Sequence, residues 1–268
     1  MLTDLMHLNV FNFGKSSNRI NQSSGMNLNI QSGHLSAHVA DEQETLEAIK
    51  LRGRIFDREY KGKIFSFKSD IDQYDQFAHH LIIKDNKTGK IVAGYRVIEA
   101  NDDRKFYSGS EFDIKKIVEL PGRKLELSKA VVHPAYRDGR TIQLIWKAIL
   151  AYAEKKKAEY LFGIPSIPTT CAKEAESLYK WFQEQNLISE EIATPHDHYK
   201  IGGKHKLNFS SPEEAVPGLM RIYFKAGSRI VSPPAIDPVY KSTDFVILLK
   251  LSELSEKYKT RMDRIGNG

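Results

Sequence analysis

The segment 136–141, YRDGRT, combines two arginines, a glycine and a threonine where a helix is expected to begin. Arg137 and Arg140 supply positive charge, and Gly139 permits a backbone conformation that other residues avoid. The first N–H groups of a helix lack partners within it, so here they point into the loop. Such a loop suits a phosphate, and we predict a phosphate site formed by Arg137, Gly139, Arg140 and Thr141.

A second polar group consists of Asp72 and Asp75, three residues apart in DQYD. Their carboxylates can bind a substrate amine, or they can hold Arg52 and Arg96 by charge-assisted pairs. A solvated acidic turn is an equally good interpretation of the sequence alone. Arg52 is followed by Gly53, which costs helix stability, so we expect a positional reason such as close packing against a substrate or the sheet.

Alternating strands and helices must position these groups. Residues 125–132 have the pattern of a strand, and the apolar residues after 141 follow the i, i+3, i+4, i+7 spacing of a helix that packs on a sheet. Asp41 and Glu44 form an Asp-type capping box that predicts the start of an earlier helix, running to about residue 56. The other predicted elements are strands at 34–39, 81–85, 91–99, 160–164 and 243–251, and helices at 172–185 and 216–227.

This interleaving predicts one α/β domain with a mixed sheet. We assign residues 1–34, rich in Asn, Ser and Gly, to a flexible N-terminal segment, residues 35–257 to the domain, and residues 258–268 to a polar tail. The chain has 268 residues, of which 41% are hydrophobic, and no apolar run approaches the roughly 20 residues of a membrane span.

Charge and cysteine content narrow the possible functions. The net charge of +6 favours an acidic partner, but it is spread along the chain, and no RRM or KH pattern supports nucleic acid. The lone Cys171 fits a reducing cytosol, so we expect a cytoplasmic protein. A nucleophilic role for Cys171 and a metal site at His196 and His198 are minor alternatives, because no third ligand follows, and we predict no metal.

Five short motifs follow one another in the chain: LRGRIF (51–56), DQYD (72–75), GYR (94–96), FYSGSEFDI (106–114) and ELSKAVVHPAYR (126–137). In this order they resemble one branch of the GNAT acyltransferase superfamily. The branch holds the ornithine N-acyltransferases of ornithine-lipid synthesis, the N-acyl amino acid synthases and, more remotely, the acyl-homoserine-lactone synthases. Residues 216–251 resemble the C-terminal extension of the ornithine N-acyltransferases specifically.

The resemblance implies a GNAT-like, mostly antiparallel sheet flanked by helices. It also implies an acyl donor carried on the 4'-phosphopantetheine of acyl carrier protein, or acyl-CoA, as substrate, with no permanently bound cofactor, and an amino acid acceptor whose amine is acylated. The resemblance also leaves open a peripheral contact with the membrane. The positions that match the polar motifs of the family are Arg52, Phe56, Asp72, Asp75, Arg96, Glu126 and Lys129.

Two of these positions carry particular expectations. The resemblance puts Phe56 in the acyl pocket, and Lys129 stands where relatives usually have arginine, so the charge is kept but the planar bidentate fork is lost. Asp72, Asp75 and the extension 216–251 are expected to wall the acceptor site, which slightly favours ornithine or lysine, while Lys129 is a cation that could hold the acceptor carboxylate.

Amine attack on a thioester needs a deprotonated nitrogen, a polarised carbonyl and exclusion of water. Glu126, on the central strand just before the phosphate loop, is the best general base in the sequence, and a water can relay the proton. A strand residue that merely faces solvent is the alternative for Glu126. The predicted function is N-acylation of an amino acid, most specifically ornithine, with two alternatives: a signal synthase, or an idle module that senses acyl carrier protein or acyl-CoA.

Overall fold

The computed structural model describes residues 28–61, 71–100, 103–200, 202–256 and 258–260. Six α-helices lie in these ranges: α1 (Glu42–Phe56), α2 (Lys115–Glu119), α3 (Arg140–Lys155), α4 (Ala172–Glu184), α5 (Pro212–Ala215) and α6 (Gly218–Ala226). The strands are β1 (Asn29–Ser32), β2 (Leu35–Val39), β3 (His79–Asp85), β4 (Lys90–Ile98), β5 (Phe112–Asp113), β6 (Arg123–Val132), β7 (Ala158–Gly163), β8 (Ser166–Ile167), β9 (Thr194–Pro195), β10 (Arg229–Ile230), β11 (Ala235–Asp237), β12 (Ser242–Asp244) and β13 (Ile247–Lys250).

Eight strands form one central sheet in the order β1-β2-β3-β4-β6-β7-β13-β10. Neighbours in this sheet pair antiparallel, except β6 and β7, which pair parallel. Two small sheets accompany it within the described residues, β11-β12-β8 and β5-β9. The predicted mixed, mostly antiparallel sheet flanked by helices is therefore confirmed.

The helices α1 and α3 cover opposite faces of this sheet. Ile82 of β3 belongs to a core cluster with Ala48 of α1, whereas its neighbours Leu81 and Ile83 belong to the large cluster that contains Ile145 of α3. Adjacent residues of a strand point to opposite faces, so the alternation along β3 assigns one helix to each side.

The predicted start of α1 is confirmed in atomic detail. Asp41 accepts a hydrogen bond from the backbone N–H of Glu44 at 2.8 Å, and the Glu44 carboxylate accepts one from the backbone N–H of Asp41 at 3.4 Å. These bonds satisfy two of the donors that the first turn leaves unpaired, which fixes where the helix begins.

Two boundaries differ from the sequence predictions. The segment assigned as flexible, 1–34, contains β1, which pairs along its whole length with β2, so the sheet begins before residue 35; residues 1–27 lie outside the described ranges. The single strand predicted at 243–251 is wrong: β12 pairs in a small sheet and β13 in the central sheet. Its continuous apolar pattern could not show this change of sheet, which the buried Phe245 and Val246 span.

The C-terminal extension packs into the same core as the central sheet. Helix α6 ends at Gly227, as predicted, with φ of +115°. Met220 and Tyr223 on its buried face join the large core cluster, and the Tyr223 ring lies 5.4 Å from the Trp146 ring of α3. Tyr258, in the predicted polar tail, also packs against this cluster. None of the helices in the described ranges is long and apolar enough to cross a membrane.

Candidate functional site

The site lies where the parallel strands β6 and β7 separate. Their pairing covers Arg123 to Glu126 on β6 and ends at Phe162 on β7, although β6 continues to Val132. At the point of separation the two backbones are so close that a Cβ atom on Gly163 would lie 2.2 Å from the carbonyl oxygen of Leu127. Only glycine fits there, and beyond it the two strands open into a cavity.

The cavity has a volume of about 370 Å³, and its wall has two kinds of surface. Apolar side chains from the sheet, α3 and α6 form one surface, and polar side chains from β6, the ends of β11 and β12 and the neighbouring turns form the other. The apolar group includes Leu127, Trp146, Leu161, Met220, Tyr223 and Leu249. The polar group includes Tyr107, Glu111, Lys129, Asp237, Tyr240 and Asp244. A cavity with both surfaces suits a molecule that has an apolar chain and a charged head.

Lys129 reaches the cavity through an irregularity in β6. The register with β4 shifts between Gly94 and Arg96, and Lys129 opposite this bulge has φ of +53°, which is rare for a residue with a side chain. The Lys129 ammonium donates to the Tyr240 hydroxyl at 3.1 Å and lies 4.8 Å from the centre of the Tyr107 ring. The bulge thus turns a strand cation into an aromatic-lined part of the cavity.

Phe56 lies in the same part of the cavity wall. Its ring is 5.6 Å from the Lys129 ammonium and packs edge-on against the Tyr240 ring at 6.4 Å. The residue expected in the acyl pocket is thus on the cavity wall, beside the polar group.

Glu126 is completely buried, so the alternative of a strand residue facing solvent is wrong. Its carboxylate accepts hydrogen bonds from the backbone N–H of Tyr107 at 2.7 Å, from that of Ser108 at 2.6 Å, and from the Ser108 hydroxyl. Burial raises the pKa of Glu126, and these hydrogen bonds counter part of the rise. Glu126 lies behind Tyr107 and outside the described cavity wall, and it fixes the segment that carries Tyr107 into that wall.

The two predicted aspartates are bound to the two predicted arginines. Asp75 accepts from Arg52 through both oxygens, at 3.0 and 2.8 Å, and Arg96 contacts Asp72 at 2.5 Å and Asp75 at 3.2 Å. Both arginine side chains are buried, and Arg96 also donates to the Ser128 hydroxyl at 3.0 Å. Of the three interpretations left open for the aspartates, an amine site, pairing with arginine and a solvated turn, this geometry matches the pairing with arginine, and neither carboxylate lies in the described cavity wall.

In the predicted phosphate loop, Gly139 has φ of +82° and precedes α3 directly. Asp138, however, accepts hydrogen bonds from the backbone N–H groups of Arg140 at 3.1 Å and Thr141 at 3.4 Å. These bonds, with the paired Arg140 side chain, hold the pKa of Asp138 below its ordinary value against the opposing effect of desolvation. The chain's own carboxylate therefore occupies the helix terminus that we expected to be open, while the buried Thr141 hydroxyl lacks a hydrogen-bond partner.

The other arginine of the loop points elsewhere. Arg137 contacts Glu59 at 2.5 Å and donates to the carbonyl oxygen of Val132 at 3.0 Å. Arg140, with a side chain that is 75% exposed, is the cation of this loop most open to solvent. The phosphate-binding role of the loop remains a prediction.

Sequence reasoning missed the acidic part of the cavity. Glu111, Asp237 and Asp244 each present a carboxylate oxygen, and these oxygens all lie within 4.8 Å of one another. Glu111 follows a 3-10 turn, Asp237 ends β11 and Asp244 ends β12, so they come from distant parts of the chain. Each residue stood inside a motif or segment that resembled the family, but only the pairing of β11 with β12 brings two of them together.

The minor alternatives lie away from the cavity. Cys171 precedes α4 and is only partly buried, and it is not in the described cavity wall. The His196 ring contacts the carbonyl oxygen of Gly109 at 3.2 Å, and the His198 ring lies 4.2 Å from the Tyr199 ring, tilted by 44°. Neither histidine belongs to the group of possible metal ligands found among the described residues.

Sequence comparison matches part of this chain to a known domain family. Residues 51–147, from the end of α1 to the middle of α3, match the acetyltransferase (GNAT) domain. The matched residues include β6 and the Gly139 loop, and the match confirms the expected resemblance to the GNAT superfamily.

Relatives extend the likeness beyond the GNAT domain. An L-ornithine N(alpha)-acyltransferase from Agrobacterium fabrum is 29% identical over 84% of this chain and 84% of its own. One from Rhodobacter capsulatus is 24% identical over 82% of this chain and 90% of its own. The resemblance to that branch is therefore confirmed. Among solved structures, a CoA-dependent acyl-homoserine lactone synthase, BjaI, is 14% identical with a TM-score of 0.49, over 84% of this chain and 83% of that chain.

Proposed function

We propose that this protein is an N-acyltransferase that moves a long-chain fatty acyl group from a thioester to the α-amine of ornithine. The observation that carries the proposal is the two-surfaced cavity at the separation of β6 and β7, with an apolar wall for an acyl chain and a polar wall with one lysine and three carboxylates. The names of the relatives support ornithine as the acceptor.

The donor thioester would enter between the separated strands. On the side of β6 that faces β7, the recorded pairing stops at Glu126, so backbone groups beyond it are available to the amides of a pantetheine arm and to the reacting carbonyl oxygen. The acyl chain would then extend along Trp146, Met220 and Tyr223. Burying such a chain stabilises binding by about 0.8 kcal/mol per CH₂ group.

We propose acyl carrier protein as the source of this thioester, with acyl-CoA as the second candidate. Both donors end in the same pantetheine phosphate, for which Arg137, Gly139, Arg140 and Thr141 are the proposed site. Exchange of the Asp138 carboxylate for the phosphate at the start of α3 would free the two N–H groups that Asp138 now occupies.

At the acceptor end, Lys129 is the proposed partner of the amino acid carboxylate, because it is a cation on the cavity wall among aromatic rings. Glu126 is the proposed final acceptor of the proton from the amine. Since its carboxylate lies behind the wall, the proton would travel through a water or through the Ser108 hydroxyl that bonds it.

The test is an assay of free thiol release with purified protein. Long-chain acyl carrier protein and acyl-CoA are offered separately, each with ornithine, lysine, glycine, homoserine or no amino acid. We expect thiol release that depends on ornithine. Release with a neutral amino acid in preference would favour a signal synthase, and silence across the whole panel, with donor binding retained, would replace the enzyme by a sensing module.

A further inference from the structure

Three buried carboxylates meet at the polar wall of the cavity. The exposed fractions of Glu111, Asp237 and Asp244 are 2%, 4% and 2%. No lysine or arginine of the described chain forms an ion pair with any of the three, and Lys129, on the same wall, bonds the Tyr240 hydroxyl. Buried like charges without a counter-ion are costly, so this cluster calls for a cation.

Unsatisfied polar atoms mark the same place. Glu111 Oε2, Asp244 Oδ1 and the hydroxyl of Ser242, all buried and on the cavity wall, have no hydrogen-bond partner, although the Ser166 and Ser242 hydroxyls lie near Asp244 and the Tyr107 hydroxyl lies near Glu111. Most buried polar atoms in proteins are hydrogen-bonded, so three such atoms together indicate a donor that binds from outside the chain. The neutral Ser242 shows that this shortage is not only a matter of charge.

The spacing of the oxygens fits a single nitrogen. The three carboxylate oxygens lie within 4.8 Å of one another, so a nitrogen placed between them can be within about 2.8 Å of each. That distance is the usual length of an N–H···O bond to a carboxylate. An alkylammonium group has three N–H donors around one nitrogen and no acceptor. The three carboxylates thus present one acceptor for each donor.

We infer that Glu111, Asp237 and Asp244 bind the second, side-chain amine of a diamino acid acceptor. This inference rests on the proposed function and adds the residues that select the acceptor. With Lys129 at the α-carboxylate and the three acids at the terminal ammonium, the α-amine between them is left for the thioester. The Asp72 and Asp75 pair, expected to serve the acceptor, is replaced in this role.

A divalent metal is less well matched to this cluster. Asp237 already accepts from the backbone N–H groups of Val239 at 2.6 Å and Tyr240 at 3.0 Å through one oxygen. Calcium takes six to eight oxygen ligands, more than one oxygen from each of the three carboxylates and the Ser242 hydroxyl would supply, and magnesium keeps several waters. Three acceptors suffice for an ammonium.

The experiment compares two acceptors in two variants. L-Ornithine and L-2-aminopentanoate have the same carbon chain and differ in the terminal amine. Asp244→Asn keeps the shape and removes one charge, and Glu111→Gln is the second variant in case the first fails to fold. For either variant we expect kcat/KM for ornithine to fall by about 10- to 100-fold, mostly through KM, with 2-aminopentanoate unchanged or improved. Asp197→Asn, at a side chain that is 98% exposed, is the control and should change neither.

A binding readout separates the possible failures. Ornithine should raise the melting temperature of the wild type and of Asp197→Asn but not of Asp244→Asn. If a variant that still acylates lost the same factor in kcat/KM on ornithine and on 2-aminopentanoate, the inference would be overturned and the proposed function would stand. Stabilisation by Ca²⁺ or Mg²⁺ that Asp244→Asn abolishes, with no ornithine effect, would replace it by a metal site. If the wild type acylates no amino acid at all, the proposed function falls first.

Discussion

Two clusters of charged side chains lie beside Tyr107, and only one of them contains charges of both signs. In the first, Arg52 and Arg96 bind Asp72 and Asp75, so two cations face two anions and the chain itself supplies both signs. The second cluster consists of Glu111, Asp237 and Asp244, for which the described chain supplies no cation.

The difference separates structural charge from binding charge. A balanced cluster stabilises the fold and gains nothing from a ligand, whereas an unbalanced one destabilises the empty protein and is relieved by an opposite charge. Proteins tolerate such a cost mainly at functional sites. The resemblance pointed to the first cluster as the acceptor site, but the imbalance points to the second.

The largest effect is expected when the balanced cluster is broken. Asp75→Asn leaves Arg52 and Arg96 short of a buried counter-ion and should lower the free energy of unfolding by about 3–5 kcal/mol. Asp244→Asn, which removes a charge from the unbalanced cluster, should cost less than about 1 kcal/mol or stabilise the protein. Urea unfolding at pH 7 measures both, and equal losses would remove the distinction between the clusters.

A third buried carboxylate, Glu126, is satisfied by backbone donors and tests the catalytic proposal. Glu126→Gln should reduce kcat by about 10²-fold with donor binding retained, and the acidic limb of the pH–rate profile should disappear. Glu174→Gln is a matched control, because Glu174 also accepts from two backbone N–H groups, those of Leu207 at 2.9 Å and Asn208 at 3.1 Å, away from the cavity. An unchanged rate in Glu126→Gln would remove Glu126 from the mechanism.

The two clusters should also give stability opposite dependences on pH. Pairing with its partners holds the pKa of Asp75 well below its ordinary value, so its contribution is present above about pH 4 and is lost on further acidification. Burial, with repulsion from Asp237, raises the pKa of Asp244 to about 7, and burial and the Asp244 charge raise that of Glu111. Stability should therefore fall as pH rises from about 4 to 7.

Unfolding of the wild type and Asp244→Asn at pH 5 and pH 8 checks this sign. The wild type should lose on the order of 1–2 kcal/mol more than the variant over that interval. Other titratable and charged groups of the wall, among them Tyr107, Lys129 and Tyr240, are the same in both proteins, so the difference reports Asp244 and its coupling to Glu111. If the variant lost more free energy of unfolding than the wild type between pH 5 and pH 8, the charge of Asp244 would not destabilise the folded protein.

Much of the frame was predictable because its signals are local. The Asp41 and Glu44 capping box, the glycine that ends α6 and the hairpin of β3 and β4 are each encoded within a few residues. The sequence could not show that the apolar run 243–251 divides between two sheets, because both halves have the same pattern.

The same reason explains what was missed in the site. Arg52, Asp75 and Arg96 were identified, but their pairing depends on strands far apart in the chain. The convergence of Glu111, Asp237 and Asp244 depends on the small sheet that no local pattern predicts. Asp138 precedes Gly139 in the sequence, but only the structure shows that its carboxylate takes the N–H groups expected to bind a phosphate.

The smallest effect concerns the donor and leaves both clusters untouched. Arg140→Ala should raise KM for the acyl donor a few-fold and leave KM for the acceptor unchanged. The free energy of unfolding should stay within about 0.5 kcal/mol of the wild type, because the Arg140 side chain is 75% exposed. Arg123→Ala, at another exposed arginine paired with Glu99, is the control. An effect on the acceptor instead would place Arg140 in the wrong half of the site.

The most direct test of the account is the mass of the lipid that appears when this chain is expressed in a host that lacks ornithine lipids. Wild-type protein should yield a fatty acyl amide of ornithine, and Asp244→Asn should yield much less of it, with Asp197→Asn unchanged. An acylated neutral amino acid would contradict the assignment of the three carboxylates to a second amine while leaving acyl transfer in place. The absence of any new N-acyl amino acid from cells that contain folded protein would contradict the proposed function itself.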